Sequence, residues 1–396
     1  MPIPTPFHSR TSRLCTSMQW KEWAGYYSVC SYGTSHDPEY FAIRHAAGLI
    51  DVSPLFKYEV RGPDAASFLS RVTVKDVRKL KMGRVTYLCW CDDHGKVVDD
   101  GTVSRLGDEH FRVTAAEPSL SWFDRLRRGY DVEIEDSSAR IGVLALQGPT
   151  SRDILAQLTD AELGEIKFFA TRRCRLAGVD AWISRTGYTG DLGYEIWVDA
   201  AGAETVYDAL IEEGRAYGIM PAGLDALDTS RIEASFIMNG VDYYSAHHCL
   251  IEDRKSSPYE LGLGWTVQLD REPFVGHAAL KRELETGSRR RFVGLDIDWE
   301  EVESLFDRYG LPPELPTSAW RDSRPIYDSS GDWIGQASSG VWSPTLKKNF
   351  ALGQVPREHS QPGEKLLFEV TAEYRRHKVS ATVVETPFFN PERKRS

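Results

Sequence analysis

The stretch Tyr58-Glu-Val-Arg-Gly62-Pro63, continuing as Asp64-Ala-Ala-Ser-Phe-Leu-Ser-Arg-Val72, combines a strand, a turn and a helix. Residues 58–61 alternate in polarity as a half-buried strand does, and the Gly-Pro pair ends that pattern. The apolar residues of 65–72 then recur at i, i+3, i+4 and i+7, which is one face of a helix. The same order returns at Val143-Leu-Ala-Leu-Gln-Gly148-Pro149 and the residues after it. Two such units predict two related α+β modules.

The remaining pattern extends these modules and adds a third region. Short strands are predicted at 85–91, 96–106 and 110–115, a hairpin-like pair at 181–186 and 194–198, and helices at 203–217 and 223–236. Residues 283–291 follow no clear pattern, and 287–291 are predicted to form a linker. Beyond it, strand-like runs separated by Pro and Gly predict a small all-β barrel; they cover 292–297, 333–338, 350–355, 365–370 and 378–385.

Length, charge and cysteine usage restrict the class of protein. The 396 residues exceed the size of a single hydrophobic core, so two or three domains are expected. A net charge of −10 argues against a nucleic-acid partner. The first residues lack an apolar signal region, and no window is apolar enough to span a membrane, so no membrane association is expected. Six scattered cysteines are typical of free thiols in a reducing compartment, and a cytoplasmic location is predicted. The basic run 393–395 is interpreted as a frayed, solvated terminus.

Two adjacent carboxylates, Asp99 and Asp100, lie within an apolar strand pattern at 95–101. Successive strand side chains face opposite sides, so one aspartate points inward. A buried carboxylate is costly unless it is paired or used, and such groups often mark functional sites. The alternative interpretation is that Asp100-Gly101 forms a turn.

A second stretch, Ser184-Arg-Thr-Gly-Tyr188-Thr-Gly-Asp-Leu-Gly-Tyr-Glu195, has three glycines at a spacing of three. It matches neither the dinucleotide fingerprint nor a phosphate-binding loop, and the glycines indicate a close backbone approach. A carboxylate at Glu195 could accept paired N–H groups from a planar heterocycle such as a pterin. The alternative is a hairpin that carries a surface glutamate.

Two further clusters have simpler interpretations. Asp228, Arg231 and Glu233 lie on the helix predicted at 223–236, where a structural ion pair between Asp228 and Arg231 is expected. His247-His248-Cys249 has a spacing that suits neither helical nor Cys-x-x-Cys metal ligation, so no metal is expected.

Taken in order, these segments resemble the aminomethyltransferase (glycine-cleavage T-protein) family and its folate-dependent demethylase relatives. The matching segments are 44–53, 62, 83–87, 95–100, 146–149, 185–190, 193–195, 231–234, 274–276, 338–340 and 343–344. The resemblance implies an α+β, three-domain ring around a central folate channel, with a small C-terminal β-barrel. It places a folate-binding region of two interleaved modules at 1–285, the second at roughly 52–139, and the barrel domain at 286–396.

The same resemblance implies tetrahydrofolate as the cofactor and assigns roles to individual residues. Glu195 would hold the amino-pyrimidine edge of the pterin, and Asp99 would be the catalytic aspartate beside N5 and N10. The other residues that would line the cofactor site are Tyr87, Val113, Tyr188 and Arg231.

The chain departs from the family at two places near the expected chemistry. The family asparagine beside the transferred aminomethyl group is replaced by Ala116, and an inserted segment occupies 242–258. Residues 257–262 resemble the vanillate-type aryl O-demethylases and the dimethylsulfoniopropionate demethylase, and residues 23–27 resemble the aryl O-demethylases. Those relatives tend to lack the first aspartate, which this chain keeps. Candidate donor-pocket residues are Tyr26, Tyr27, His247 and His248.

The predicted function is that of a tetrahydrofolate-dependent transferase that demethylates a small N-, O- or S-methylated compound, the methyl donor, and passes the carbon to folate. One alternative is an aminomethyltransferase of the glycine-cleavage type. Another is a non-catalytic folate-binding protein, which the retention of Asp99 makes less favourable. The sequence leaves the donor and the oligomeric state open.

Overall fold

The computed structural model describes residues 1–313, 315 and 318–396, which form nineteen strands. In chain order the strands are β1 (Gln19–Trp23), β2 (Tyr26–Ser31), β3 (Ala47–Asp51), β4 (Phe56–Arg61), β5 (Val85–Cys91), β6 (Val97–Gly107), β7 (His110–Ala115), β8 (Glu133–Asp136), β9 (Ile141–Gln147), β10 (Thr171–Leu176), β11 (Val179–Ser184), β12 (Gly193–Asp199), β13 (Ile219–Pro221), β14 (Arg290–Ile297), β15 (Arg324–Tyr327), β16 (Trp333–Ser343), β17 (Lys348–Pro356), β18 (Lys365–Ala372) and β19 (Arg375–Val384).

Nine α-helices accompany the strands in the part of the chain that the structure describes. They are α1 (His8–Leu14), α2 (Asp37–His45), α3 (Ala65–Val72), α4 (Leu120–Leu126), α5 (Ser151–Leu158), α6 (Ala203–Gly214), α7 (Leu224–Glu233), α8 (His277–Thr286) and α9 (Trp299–Asp307). The predicted linker is partly wrong, because α8 reaches residue 286 and β14 already begins at residue 290.

Two sheets form the first two modules, and the chain passes from one to the other and back. The first has the order β10-β11-β12-β9-β3-β13 and is antiparallel except for the parallel pair β13 and β3. The second has the order β5-β6-β7-β4-β8, with all pairs antiparallel. Since β4 to β8 lie between β3 and β9 in the chain, the second sheet is an insertion into the first.

The two Gly-Pro units perform the same task in the two modules. Gly62 follows β4 and precedes α3, while Gly148 follows β9 and precedes α5. Their φ angles are +127° and +131°, in the region that favours glycine. A Cβ at Gly62 would lie 2.4 Å from the carbonyl oxygen of Asp131, and one at Gly148 would lie 2.4 Å from that of Ala46. The repeat therefore reflects a backbone turn that only glycine fits.

Replacing Gly148 by alanine is expected to lower the free energy of unfolding by about 2–3 kcal/mol, the scale of backbone strain at a forced φ. Equilibrium urea unfolding measures this loss. Gly164→Ala is the matched control, because its added Cβ would meet no atom within 4 Å. A Gly148→Ala protein as stable as the control would contradict this account of the motif.

The C-terminal region is a closed six-stranded barrel with the order β14-β17-β16-β15-β18-β19. Its core includes Leu295, Ile326, Ala351 and Phe368, each at most 1% exposed. The predicted barrel is confirmed, and each of its five predicted strands corresponds to an observed one. Sequence patterns missed β15, which has only four residues, and α9, which follows β14 directly. No described helix is both long enough and apolar enough to cross a membrane.

Candidate active site

Asp99 lies in the middle of the second sheet, on β6 opposite Trp90 of β5. Strand β6 continues through residue 107, so the interpretation of Asp100-Gly101 as a turn is wrong. Trp90 and Val98 beside Asp99 belong to the apolar core of the module. The Asp99 side chain is 0% exposed, and it is the inward-pointing carboxylate that the pattern predicted.

Donors surround both oxygens of the Asp99 carboxylate. Oδ2 accepts the backbone N–H groups of Ala116 at 3.0 Å and Glu117 at 2.9 Å. Oδ1 accepts the N–H of Asp100 at 2.9 Å and the side-chain amide of Asn239 at 2.8 Å. The Tyr243 hydroxyl lies 3.4 Å from the same oxygen. All of these donors are neutral, so the carboxylate is held in place while its charge stays uncompensated.

Burial raises the pKa of Asp99 to about 8, and the neighbouring charge of Asp100 adds to this rise. The N–H of Glu117 and the amide of Asn239 act in the opposite direction, because they stabilise the ionised form. A carboxyl with a pKa near physiological pH can change its protonation state during a reaction.

Asp100 is half-buried and is held by two phenols. Its Oδ2 accepts the Tyr87 hydroxyl at 2.7 Å, and its Oδ1 accepts the Tyr243 hydroxyl. Tyr87 also stacks on Trp265, with ring centroids 6.2 Å apart. Among the described residues no lysine, arginine or histidine forms an ion pair with Asp99 or Asp100. When it is ionised, the pair therefore has no cationic partner among the described residues, and a cationic ligand would supply one.

Glu195 lies near the start of β12, paired with Ser184 of β11 and Ala145 of β9. It is half-buried in the middle of the first sheet, so the alternative of a surface glutamate is wrong. Its Oε2 accepts the Thr186 hydroxyl at 2.6 Å and the Ser184 hydroxyl at 3.5 Å. No described residue donates to Oε1, which leaves that oxygen for a ligand. Burial raises the pKa of Glu195, and these two hydroxyls oppose the shift.

The glycines of the 184–195 stretch admit one buried side chain, that of Gln147. Added Cβ atoms at Gly187 and Gly193 would lie 2.0 Å and 2.3 Å from its amide. That amide donates to the carbonyls of Thr186 at 3.3 Å and Tyr194 at 3.4 Å, and accepts the Thr189 hydroxyl at 2.8 Å. The Gln147 side chain therefore fixes the conformation of the loop, and this positions Glu195 at the end of the loop.

Arg44 attaches this loop to α7. Its guanidinium donates to the Thr189 carbonyl at 2.9 Å and to Glu233 Oε2 at 2.6 Å, and lies 3.4 Å from Asp191. All three charged side chains are at most 1% exposed, so neither sign of charge is left unpaired in the interior. Glu233, which sequence analysis placed with Asp228 and Arg231, thus serves this structural network.

Arg231 forms the expected ion pair with Asp228 at 2.7 Å and a second with Asp242 at 2.5 Å. Asp242 also accepts the hydroxyls of Ser338 and Ser339, which connects the site to barrel strand β16. The buried Nη2 of Arg231 has no hydrogen-bond partner among the described residues. A buried cationic donor without a partner is costly, and an acceptor on a bound ligand would relieve that cost. The residue therefore fits a folate, which carries carbonyl and carboxylate oxygens.

Tyr188 and Val113, the other two predicted cofactor contacts, have different surroundings. Tyr188 is half-buried and stacks on Phe236, with centroids 5.5 Å apart, while its hydroxyl donates to the Ile237 carbonyl. A flat aromatic surface of this kind suits a planar cofactor. The Val113 side chain is 0% exposed in the core of the second module. Their cofactor contacts stay predictions.

None of the four candidate donor-pocket residues forms a hydrogen bond with Asp99. Tyr26 and Tyr27 lie on the β1–β2 hairpin, where Tyr27 packs edge-on against Trp20. His247 is exposed and contacts Trp122, with centroids 4.5 Å apart, and His248 is exposed. Within residues 1–313, 315 and 318–396, no cluster of His, Cys, Asp and Glu has the geometry of a metal site. The donor-pocket roles stay predictions.

The basic run 393–395 is not a solvated tail, contrary to its sequence interpretation. Arg393 binds Asp191 of the glycine-rich loop through Nε at 2.7 Å and Nη2 at 2.8 Å. The Lys394 amine lies 4.9 Å from the ring centroid of Phe236, and burial lowers its pKa to about 8. Ser396 accepts from Arg185 and Arg152. Charge complementarity with the loop, which a one-dimensional pattern does not show, accounts for the difference.

Asn239 and Tyr243, the two side chains that reach Asp99 from outside its own sheet, are not predicted from the sequence. Both lie in the loop after α7, and Tyr243 belongs to the inserted segment 242–258. That segment also runs along β6, because the Ala246 N–H donates to the Val97 carbonyl at 2.8 Å and the Val97 N–H donates to Ser256 at 2.9 Å. The insertion therefore covers the Asp99 site. The insertion follows the matching family segment 231–234 in the sequence, and this position was the signal that could have indicated Tyr243.

Comparisons with known proteins agree with this arrangement. The family model described as the GCVT N-terminal domain matches residues 8–271, and that of the glycine cleavage T-protein C-terminal barrel domain matches 307–390. The aminomethyltransferase of Halothermothrix orenii is 35% identical over 360 residues, which cover 90% of this chain and 92% of that protein. The aminomethyltransferase of Symbiobacterium thermophilum is 37% identical over 369 residues and 90% of each chain.

The fold comparison gives the same architecture. The crystal structure of the glycine cleavage system aminomethyltransferase T from Bartonella henselae superimposes with a TM-score of 0.84, at 23% identity, over 98% of this chain and 99% of that chain. The predicted α+β T-protein fold with its C-terminal barrel is confirmed. Tetrahydrofolate, the cofactor predicted from the sequence, is the cofactor of this family. The chain belongs to the glycine cleavage T-protein family of folate-dependent transferases.

Proposed function

We propose that this chain transfers a one-carbon unit from the nitrogen of a small amine to tetrahydrofolate, as an aminomethyltransferase-type enzyme. The observation that carries the proposal is the Asp99–Asp100 pair, which is buried, held by neutral donors and without a cationic partner among the described residues. Such a pair favours a donor whose amine is positively charged. The names of the relatives support the same reaction type, which is the first alternative predicted from the sequence.

The residues divide into a cofactor half and a reaction half. Glu195, with Oε1 open, would accept the N–H groups of the pterin edge, and Tyr188 and Arg231 would contact the rest of the cofactor. Bound tetrahydrofolate supplies the nitrogen nucleophile that receives the carbon. The ionised Asp99 carboxylate would stabilise the positive charge that develops at the migrating carbon as the donor's carbon–nitrogen bond breaks and the amine leaves with the bonding electrons. It would also accept the proton that the folate nitrogen loses when it bonds to the carbon.

A second candidate is demethylation of an O- or S-methyl donor, the main prediction from the sequence. Two differences from the family pattern near Asp99 support this candidate. Ala116 replaces the family asparagine, and residues 242–258 cover the Asp99 site. A covered site of this kind suits a smaller donor than a carrier-bound aminomethyl group.

A donor panel distinguishes these possibilities. The protein is incubated with tetrahydrofolate and with methylated amines, aryl ethers, sulfonium compounds or aminomethyl-lipoyl carrier, and the folate product is identified by mass spectrometry. Transfer from an amine supports the proposal, and the mass then separates a 5,10-methylene from a 5-methyl product. Transfer solely from an aryl ether or sulfonium compound would favour the second candidate. Tight folate binding without turnover of any class would favour a non-catalytic folate-binding protein.

The pH dependence of turnover tests the role of Asp99. Since its pKa is raised to about 8, the ionised fraction increases as the pH rises through 8. If the carboxylate is the active form, kcat should rise by about tenfold per pH unit well below the pKa and level off above it. The titratable groups that face Asp99 are Asp100 on its own strand, Tyr243 on the loop after α7 and Tyr58 on β4. A kcat that falls over pH 6–9 would show instead that the protonated form acts.

A further inference from the structure

Asn239 contacts Asp99 from a segment that is 140 residues away in the chain, with its Nδ2 2.8 Å from Asp99 Oδ1. The Asn239 side chain is half-buried, and its amide oxygen accepts no hydrogen bond from the described residues. The contact lies on the opposite oxygen from the backbone N–H groups of Ala116 and Glu117. Asn239 therefore sets the orientation of the Asp99 carboxyl plane together with the loop that follows β7.

The loop that carries Asn239 is itself fixed. Asp242 accepts the Met238 N–H at 2.9 Å through the same oxygen that binds Arg231. The Gly240 N–H donates to the Tyr243 carbonyl at 2.8 Å, which closes the turn directly after Asn239. Because Asp242 also binds two barrel serines, the loop is attached to β16. A side chain on such a support is pre-organised, as a positioning group must be.

Position 116 shows the complementary change. The resemblance places an asparagine there, beside the transferred group, whereas this chain has alanine. The backbone of Ala116 still donates to Asp99 Oδ2, so only the side-chain amide is lost. Ala116 itself is half-buried, as Asn239 is.

We propose that Asn239 is a positioning residue for Asp99 and supplies, from the loop after α7, the side-chain amide that is absent at position 116. This inference rests on the proposed function, in which Asp99 acts on the migrating carbon. A neutral amide suits the task because it fixes the carboxylate without neutralising it, whereas a lysine or arginine there would cancel the charge that attracts a cationic donor. Its unused amide oxygen is available to an N–H group of that donor.

The first test is direct titration of the Asp99 carboxyl by carbon-13 NMR in the full-length protein, with the signal assigned by its loss in Asp99→Asn. Asn239→Ala is expected to raise the pKa of Asp99, because a donor to the ionised form is removed. Besides Asp100 and Tyr243, the titrating group Tyr58 on β4 also faces Asp99. These three are unchanged in the variant. An unaltered titration would overturn the proposal.

The second test is rescue. Asn239→Ala is expected to lower kcat at pH 7 by tenfold or more, with the folate Kd within twofold of wild type. It is also expected to shift the rise of kcat with pH to higher pH. Asn239→Ala combined with Ala116→Asn should recover most of the loss. A double variant as slow as Asn239→Ala would overturn the inference that the amide of Asn239 replaces the family amide at position 116. If the wild type turns over no donor while the titration still moves, the positioning role stands and the proposed function fails.

Discussion

Asp99→Asn is expected to reduce kcat by about 100- to 1,000-fold, the range that positioned acid–base groups contribute. The folate Kd should stay within about threefold, because the residues predicted to hold the cofactor lie on other elements. Asparagine keeps the shape of the side chain. Its amide oxygen can accept either the backbone N–H groups of Ala116 and Glu117 or the side-chain amide of Asn239. It carries no charge, so it can neither stabilise a cation nor accept a proton. Single-turnover kinetics and calorimetric folate titration measure the two quantities.

The control for this variant is Asp108→Asn on the turn between β6 and β7, where the carboxylate is 92% exposed. The control should match wild type in both measurements. Removing Asp99 should also abolish the rise of kcat through pH 8. If Asp99→Asn instead loses folate affinity while its turnover with saturating folate persists, Asp99 is a cofactor-binding residue and the proposed chemistry is wrong.

What the sequence predicted depended on how local each signal was. The Gly-Pro units, the strand with Asp99 and the glycine-rich stretch before Glu195 are each encoded within about fifteen residues, so periodicity and turn chemistry identified them. Asn239 could not be found in this way, because it lies on a distant segment of the chain. The ion pair between Arg231 and Asp242 holds the loop that brings it to Asp99. The docking of Arg393 on Asp191 likewise depends on a contact 202 residues apart.

The structure also changes the interpretation of the departures from the family. From the sequence, Ala116 and the insertion at 242–258 indicated an unusual donor. The structure places the side-chain amide of Asn239 against Asp99 and the Tyr243 hydroxyl against both aspartates. In the proposed function, the loop after α7 supplies part of the reaction half, and Glu195 and Arg231 belong to the cofactor half. Donor specificity is expected to depend on the loop after α7, and folate affinity on the first sheet.

Glu195→Gln is expected to weaken folate binding by about 10- to 100-fold, since a hydrogen bond to a charged group contributes about 1.5–3 kcal/mol. Glutamine at this position would present an NH₂ group where the pterin edge also donates, so one contact becomes a repulsion. Glu165→Gln, whose side chain is 64% exposed in the same module, is the matched control. Thr186→Val should cost less, because it removes one donor to Oε2 and leaves the carboxylate. Binding of tritiated folate, or calorimetric titration with folate, ranks the affinities of the three variants. The kcat at saturating folate should stay near that of wild type in each. Equal affinity of wild type and Glu195→Gln would refute the pterin assignment, whereas an intact Kd with lost turnover would move Glu195 to the reaction half of the site.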